Sequence, residues 1–260
     1  MQLSGAVVLV TGASGGIGRA TAQLVARRGA TVVCSGREPA ALRETAAVCD
    51  GAPLIADLRD PAASAALVDD VVGSYGRLDA LVATAGVGHA GRVVDMTRER
   101  VAELVDVDVR APLLLARHAL AAFRDQTAAG DPRTRGLVFV TSIAGLVGVP
   151  GESVYSAGKA AVESFAVLLR EELRDDPALN GVQVSTVAPG VVDTAFFHRR
   201  GAPYDRRIPR PIPAERAAAA VVSALETGRP RTVVPRWLAI PARLSAAAPG
   251  VYRALARRMS

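Results

Sequence analysis

Val7-Val8-Leu9-Val10-Thr11-Gly12-Ala13-Ser14-Gly15-Gly16-Ile17-Gly18 is a β-branched run, a glycine-rich turn and the start of an Ala-rich stretch. The run reads as a buried strand, and residues 17–28 as a helix. A strand that turns tightly into a helix leaves backbone N–H groups free at the positive end of the helix dipole. That arrangement suits a pyrophosphate. Gly12 allows the tight turn, Gly16 a close approach of backbone to ligand, and Gly18 close packing of helix on strand. Ser14, Gly15 and Ile17 complete the cradle. An ordinary strand–helix turn is the competing reading, and position at the very first strand weighs against it.

The same alternation continues outward. Strands are expected at 31–34, 53–56, 79–83, 137–141, 182–187 and 232–234. Helices are expected at 39–48, 61–75, 97–107, 112–124, 155–174 and 213–226. Strands alternating with helices build βαβ units and a buried parallel sheet, an α/β fold. No linker or repeat divides residues 1–235, which read as one domain; residues 236–260 read as a C-terminal extension.

Composition narrows the classes. Half of the 260 residues are hydrophobic, enough for a large core and incompatible with global disorder. No apolar run reaches the length of a membrane span. Two cysteines, Cys34 and Cys49, are too few for a disulfide framework. With no secretory leader pattern at the start, they are expected to be reduced thiols in the cytoplasm. The net charge of +6 is uneven: residues 1–198 carry 18 basic and 22 acidic side chains, residues 199–260 carry 13 and 3. A slightly acidic body with a basic end is not a nucleic-acid binder. His89 and His198 do not stand with acids or cysteines at ligand spacing, so no metal is assigned.

Of the 31 basic residues 30 are Arg, and the one Lys is Lys159. Arg and Lys are interchangeable on most solvated surfaces but not where a compact ammonium is required. Lys159 stands four residues after Tyr155, on one helical face with it. An unperturbed phenol, titrating near ~10, is a poor acid–base at neutral pH. The ammonium is expected to favour phenolate and fit Tyr155 to exchange a proton with a carbonyl or alcohol. Ser142, ending the preceding strand, could hold the substrate oxygen. A mere surface pair is the alternative, and it makes the sole Lys an accident.

The second strand ends in Ser35-Gly36-Arg37. An acid here would take the ribose hydroxyls of NAD. Gly36 removes that carboxylate and Arg37 can fork onto a 2′-phosphate, so NADP(H) is expected, with NAD(H) as the alternative. Asp57, with Leu58 beside it after the third strand, could accept from the adenine amino group; a helix cap ahead of Pro61 is its alternative role.

Together, Thr11-Gly12-x-x-x-Gly16-x-Gly18, Ser142, Tyr155-x-x-x-Lys159 and Pro189-Gly190-x-x-x-Thr194 resemble the classical short-chain dehydrogenase/reductase family over roughly residues 4–235. The resemblance implies a Rossmann-type, doubly wound parallel sheet of seven strands in three αβα layers, a nicotinamide cofactor, and hydride transfer to or from a carbonyl carbon. It implies that Lys159 binds the nicotinamide ribose as well as tuning Tyr155. By the same likeness Pro189, Gly190, Val192 and Thr194 hold the nicotinamide amide, and Ala83, Ala85 and Gly86 line the cofactor. It also implies a homodimer or homotetramer through the helices at 112–124 and 155–174. Two departures stand out. Ala83-Thr84 replaces the family's Asn-Asn, a change expected to touch the sheet more than the chemistry. Asp108 takes the place of a catalytic Asn; it is expected to add negative charge near Lys159 while the proton relay survives.

The substrate pocket is expected from His89, 144–150 (with Ala144 and Val149) and 196–204 (with Phe196 and Phe197), beside Ser142. These are mostly apolar, which favours a hydrophobic ketone or secondary alcohol over a phosphorylated sugar. The Pro-rich segment 196–213 reads as a lid. The tail, with Trp237, Leu238, Ile240, Leu244, Val251, Tyr252 and Leu255, is amphipathic and basic. It could cap the pocket, pack on a partner subunit or rest on an anionic membrane. Breaks expected at Pro241 and Pro249 count against the membrane. Two rival functions remain: a non-catalytic NADP sensor, disfavoured by Ser142, Tyr155 and Lys159 occurring together, and an extended-type epimerase or dehydratase, disfavoured by the short chain and the glycine spacing.

Overall fold

The computed structural model describes residues 1–205 and 208–259, without the side chains of 255–259. Arg206 and Arg207 of the lid, and the side chain of Leu255, lie outside the described residues. Seven strands form one sheet: Val7–Thr11 (β1), Thr31–Gly36 (β2), Ala52–Ile55 (β3), Ala80–Ala83 (β4), Gly136–Val140 (β5), Gln183–Pro189 (β6) and Arg231–Val234 (β7). Every pairing is parallel, in the order β3-β2-β1-β4-β5-β6-β7. The order reverses beside β1, so its carboxyl end opens the crevice where such sheets bind ligands.

Successive residues of β1 point to opposite faces. Val8 and Val10 pack with Gly16–Arg27 (α1), Pro39–Cys49 (α2) and Ala214–Thr227 (α9). Val7 and Leu9 pack with Pro61–Tyr75 (α3), Ala111–Ala128 (α5) and Ser153–Arg174 (α7). Both faces are covered, which is why the strands read as continuous apolar runs. The remaining helices are Arg98–Val105 (α4), Ile143–Val147 (α6), Phe196–Arg199 (α8), Ala239–Ala247 (α10) and Pro249–Met259 (α11). Among the described residues no helix is long and apolar enough to cross a membrane.

Three local departures from the sequence reading matter for the site. The helix expected at 97–107 ends at Val105 and passes into α5 through a π-helical turn, Asp106–Arg110. Such a turn inserts one residue and redirects the side chains it carries. The cap ahead of Pro61 is Asp60, whose carboxylate accepts from the Ala62 N–H at 2.9 Å, not Asp57. Pro241 does not break the tail, but α10 and α11 do part at Ala248, just ahead of Pro249. Each proline falls in the first turn of its own helix, where a backbone N–H has no helical partner to lose.

Candidate active site

The β1–α1 turn has the geometry of an anion cradle. Gly12 and Gly16 sit at φ +67° and +52°, a region that costs other residues strain. A Cβ on Gly12 would come within 2.8 Å of the Ala85 backbone, and one on Gly16 within 3.1 Å of Thr194. The turn is thus pressed between the end of β4 and the loop after β6. Thr84 closes that joint: its hydroxyl donates to the Thr11 carbonyl oxygen, tying β4 to β1 where the family resemblance places an Asn.

From the turn opens a cavity of about 1510 Å³. Its wall includes Gly12, Ser14, Gly15, Gly16, Ile17, Gly18, Arg37, Asp57, Leu58, Ala85, Gly86, Pro189, Gly190, Val192 and Thr194 at one end, and Ser142, Ala144, Val149, Tyr155, Lys159, Phe196 and Phe197 at the other. Ala83, His89 and Asp108, all expected at the site, are not on it. Ala83 is buried in the core beneath the sheet, and its neighbour Thr84 faces the cavity instead. His89 lies off the wall, where Ala90 and Gly91 stand. Asp108 does not line the cavity either; it lies behind Lys159.

One stripe of α7 organises the chemistry. Tyr155, Lys159 and Glu163 recur every four residues and all three are buried. The Glu163 carboxylate accepts from Thr141 Oγ1 at 2.5 Å, Thr186 Oγ1 at 3.1 Å and Arg231 Nε at 2.9 Å. The helix is thereby fixed to the end of β5 and to β6 and β7. Gly145 lets α6 meet α7 closely, since a Cβ there would lie 2.7 Å from the Lys159 carbonyl carbon. Ser142 caps α6, its Oγ accepting from the Ala144 N–H at 3.1 Å, and stands within hydrogen-bonding reach of Tyr155.

Lys159 is 6% exposed. Its Nζ lies 3.2 Å from Asp108 Oδ1, 3.5 Å from the Val140 carbonyl oxygen and 5.7 Å from the centre of the Tyr155 ring. Asp108 is delivered by the π-helical turn, and Oδ1 also accepts from the Val87 N–H at 3.2 Å. Burial opposes the Lys159 charge, but Asp108 and Tyr155 together hold the ammonium above its ordinary range. Tyr155 behaves differently from expectation. Burial raises its hydroxyl, Lys159 lowers it, and the Asp108 carboxylate raises it again, so the net direction is upward. The ammonium does favour phenolate; desolvation outweighs it because the ring is buried under Phe196, whose centroid is 5.6 Å away.

At the other end Arg37 is half-exposed, its Nη1 3.7 Å from Glu103, which also binds Arg100 at 2.6 Å. Asp57 is forked by Arg59, whose hydrogen bonds hold the Asp57 carboxyl below the usual range. The lid is held by a side-chain pair that sequence spacing did not reveal: Arg200, following α8, binds Glu152 just before α7 and stacks 4.6 Å over the Phe197 ring. Glu152 and Arg200 are 48 residues apart, so no local pattern could have announced them.

The short chain dehydrogenase family profile matches residues 6–205. The chain is 36% identical to cis-4-hydroxycyclohexanecarboxylate dehydrogenase of Sinomonas cyclohexanicum, over 77% of this chain and 78% of that one. A short-chain dehydrogenase from Sphingobium yanoikuyae in complex with NADPH superposes with a TM-score of 0.78 at 28% identity, covering 94% and 96% of the two chains. A 3-ketoacyl-(acyl-carrier-protein) reductase from Brucella melitensis, complexed with NADH, gives 0.80 at 25% identity over 89% and 97%.

Proposed function

The chain belongs to the short-chain dehydrogenase family, and on that premise we propose an NADP(H)-dependent oxidoreductase of hydrophobic ketones or secondary alcohols. The observation that carries the reading is the gathering of Ser142, Tyr155 and Lys159 on the wall of the cavity that the glycine turn opens. A nicotinamide dinucleotide fits the residues present: Gly12 and Gly16 let the turn pack against Ala85 and Thr194, and Gly15, with nothing within 4 Å of where a Cβ would stand, leaves space for a pyrophosphate at the start of α1. Arg37 and Gly36 favour a 2′-phosphate at the adenosine end. Gly190, Val192 and Thr194 bound the nicotinamide end.

The bound nicotinamide supplies or accepts a hydride. The Ser142 hydroxyl orients the substrate oxygen, and the Tyr155 hydroxyl gives it a proton in reduction or takes one in oxidation. The Lys159 ammonium stabilises the phenolate left after the proton is given, and would hold the ribose hydroxyls of a bound nicotinamide nucleotide. Asp108 acts through Lys159 as a positioning residue. Val149, Phe196, Phe197 and Leu238 make the substrate end apolar and exclude water. Leu168, exposed on the outer face of α7, supports self-association through α5 and α7.

A panel of ketones and secondary alcohols with NADPH, NADH and their oxidised forms, followed by the absorbance of reduced nicotinamide, tests this. Turnover of apolar substrates with NADPH is expected. A strong preference for NADH overturns the role given to Arg37. Cofactor binding without turnover of any substrate overturns the enzyme reading in favour of a sensor.

A further inference from the structure

We propose that the C-terminal helices seat the protein on an anionic lipid bilayer, with the mouth of the substrate cavity at the lipid surface. Among the described residues, the segment from Arg236 onward meets the body along one side. Leu238 is buried against Gly190, where an added Cβ would lie 2.5 Å from its Cδ1, and α10 packs on α6. The outer side is open. Trp237, Ile240, Arg243 and Ala247 follow one another at three- and four-residue spacing, which puts them on one helical face, and all four are exposed. Trp237 is 47% exposed and Ile240 69%; on α11, Val251 is 55% exposed.

Exposed Trp237 and Ile240, with Arg236, Arg243 and Arg253 exposed among and beside them, are the chemistry of a helix lying in a membrane interface. Charge selects the occupant. Arg236, Arg243 and Arg253 are exposed here, and residues 227–260 hold no acidic side chain while residues 1–198 are slightly acidic. A second copy offering the same arginine-rich surface would meet like charge with like. An anionic bilayer meets it with opposite charge, about five-fold in binding for each arginine near the surface. The break ahead of Pro249 divides the tail into two helices that pack on each other, α10 and α11, and each carries an exposed apolar side chain, Ile240 and Val251. The cavity runs to this edge: Pro241, Tyr252 and Arg253 line it. The docking stands without the oxidoreductase reading; only its use, admitting apolar substrates from lipid, rests on that reading.

Trp237 is the only tryptophan in the chain, so its emission reports the surface directly. The full-length protein is mixed with vesicles of equal phosphatidylglycerol and phosphatidylcholine, or of phosphatidylcholine alone, at low and high salt. Emission and co-sedimentation are then read. Expected is a blue shift with co-sedimentation on the anionic vesicles at low salt, lost at high salt and absent on the neutral ones. Ile240→Asp and Arg243→Glu should each cut the sedimented fraction about five-fold or more while circular dichroism and NADPH binding stay unchanged. No sedimentation on anionic vesicles at low salt overturns the proposal. So does equal binding to neutral vesicles, binding that both variants retain, or a lipid-free shift that tracks protein concentration, the mark of a second copy. None of these readouts involves turnover, so their failure is distinguishable from failure of the enzyme reading.

Discussion

Asp108 Oδ1 lies 3.2 Å from Lys159 Nζ inside the protein, with 7% of the lysine side chain and none of the aspartate exposed. Gly86 and Gly158 make the space. A Cβ on Gly86 would stand 2.9 Å from Asp108 Oδ1 and 3.1 Å from Lys159 Nζ, and one on Gly158 3.6 Å from Asp108 Cβ. The only lysine ammonium of the chain therefore faces a carboxylate as well as a phenol. Its pull on the phenol is partly cancelled.

That cancellation predicts the effect of Asp108→Asn. The amide oxygen can keep the bonds to Val87 and Lys159 but loses the charge that raises the Tyr155 hydroxyl. Lys159, Glu152 and the hydrogen bond from Ser142 are the other groups acting on that hydroxyl, and they are unchanged. The Tyr155 pKa should fall, so phenolate forms at lower pH. The rising limb of alcohol oxidation with pH is expected to move to lower pH, with turnover retained. An unmoved limb would show that the aspartate does not act through charge.

Tyr155→Phe removes the exchangeable proton and leaves the ring packing on Phe196. Turnover should drop by roughly 10²–10⁴-fold, with cofactor affinity, read by quenching of Trp237 or by calorimetry, within a few-fold of the parent.

Arg37→Ala tests the adenosine end. The side chain is 42% exposed and shares Glu103, which discounts its bond to a phosphate. A rise of about ten-fold in KM for NADPH is expected, with KM for NADH unchanged. Equal loss for both cofactors would remove Arg37 from the 2′-phosphate.

Glu163→Ala leaves Thr141, Thr186 and Arg231 without their shared acceptor. The cost should be about 2–3 kcal/mol, read as a lower denaturant midpoint at unchanged slope. Because the same carboxylate sets the height of α7, kcat should fall more than KM rises. Glu163→Gln should restore most of the stability.

Much of this was legible before the structure. The seven runs became seven strands, since a sheet covered on both faces buries both sides of its central strands β1, β4 and β5, while β3 at the edge alternates half-buried and exposed residues. The glycine turn, Ser142, Tyr155 and Lys159 converge as their spacing implied. What sequence did not show has physical reasons. The π-helical turn at Asp106–Arg110 has no residue signature, because tertiary packing against α7 decides it. Of the two prolines expected to break the tail, Pro249 does stand at a break, and only knowledge of where α10 starts shows Pro241 to be a first-turn residue. Ala83 was assigned to the cofactor and Thr84 passed over, a one-residue shift that moves a strand side chain to the opposite face. The direction of the Tyr155 shift depends on burial, which spacing alone does not report.

Gly190 accepts the bulk of Leu238 and donates its N–H to the Val234 carbonyl oxygen at 2.7 Å. The turn after β6 thus leans on the residues that lead into the tail. Trimming the chain after Pro235 would be no harmless shortening. It would unseat a plug from the floor of the catalytic chamber and strip Leu238, Pro241 and Tyr252 from its side. Anyone grafting this scaffold onto a new purpose inherits its last two dozen residues as part of the vessel, not as packaging.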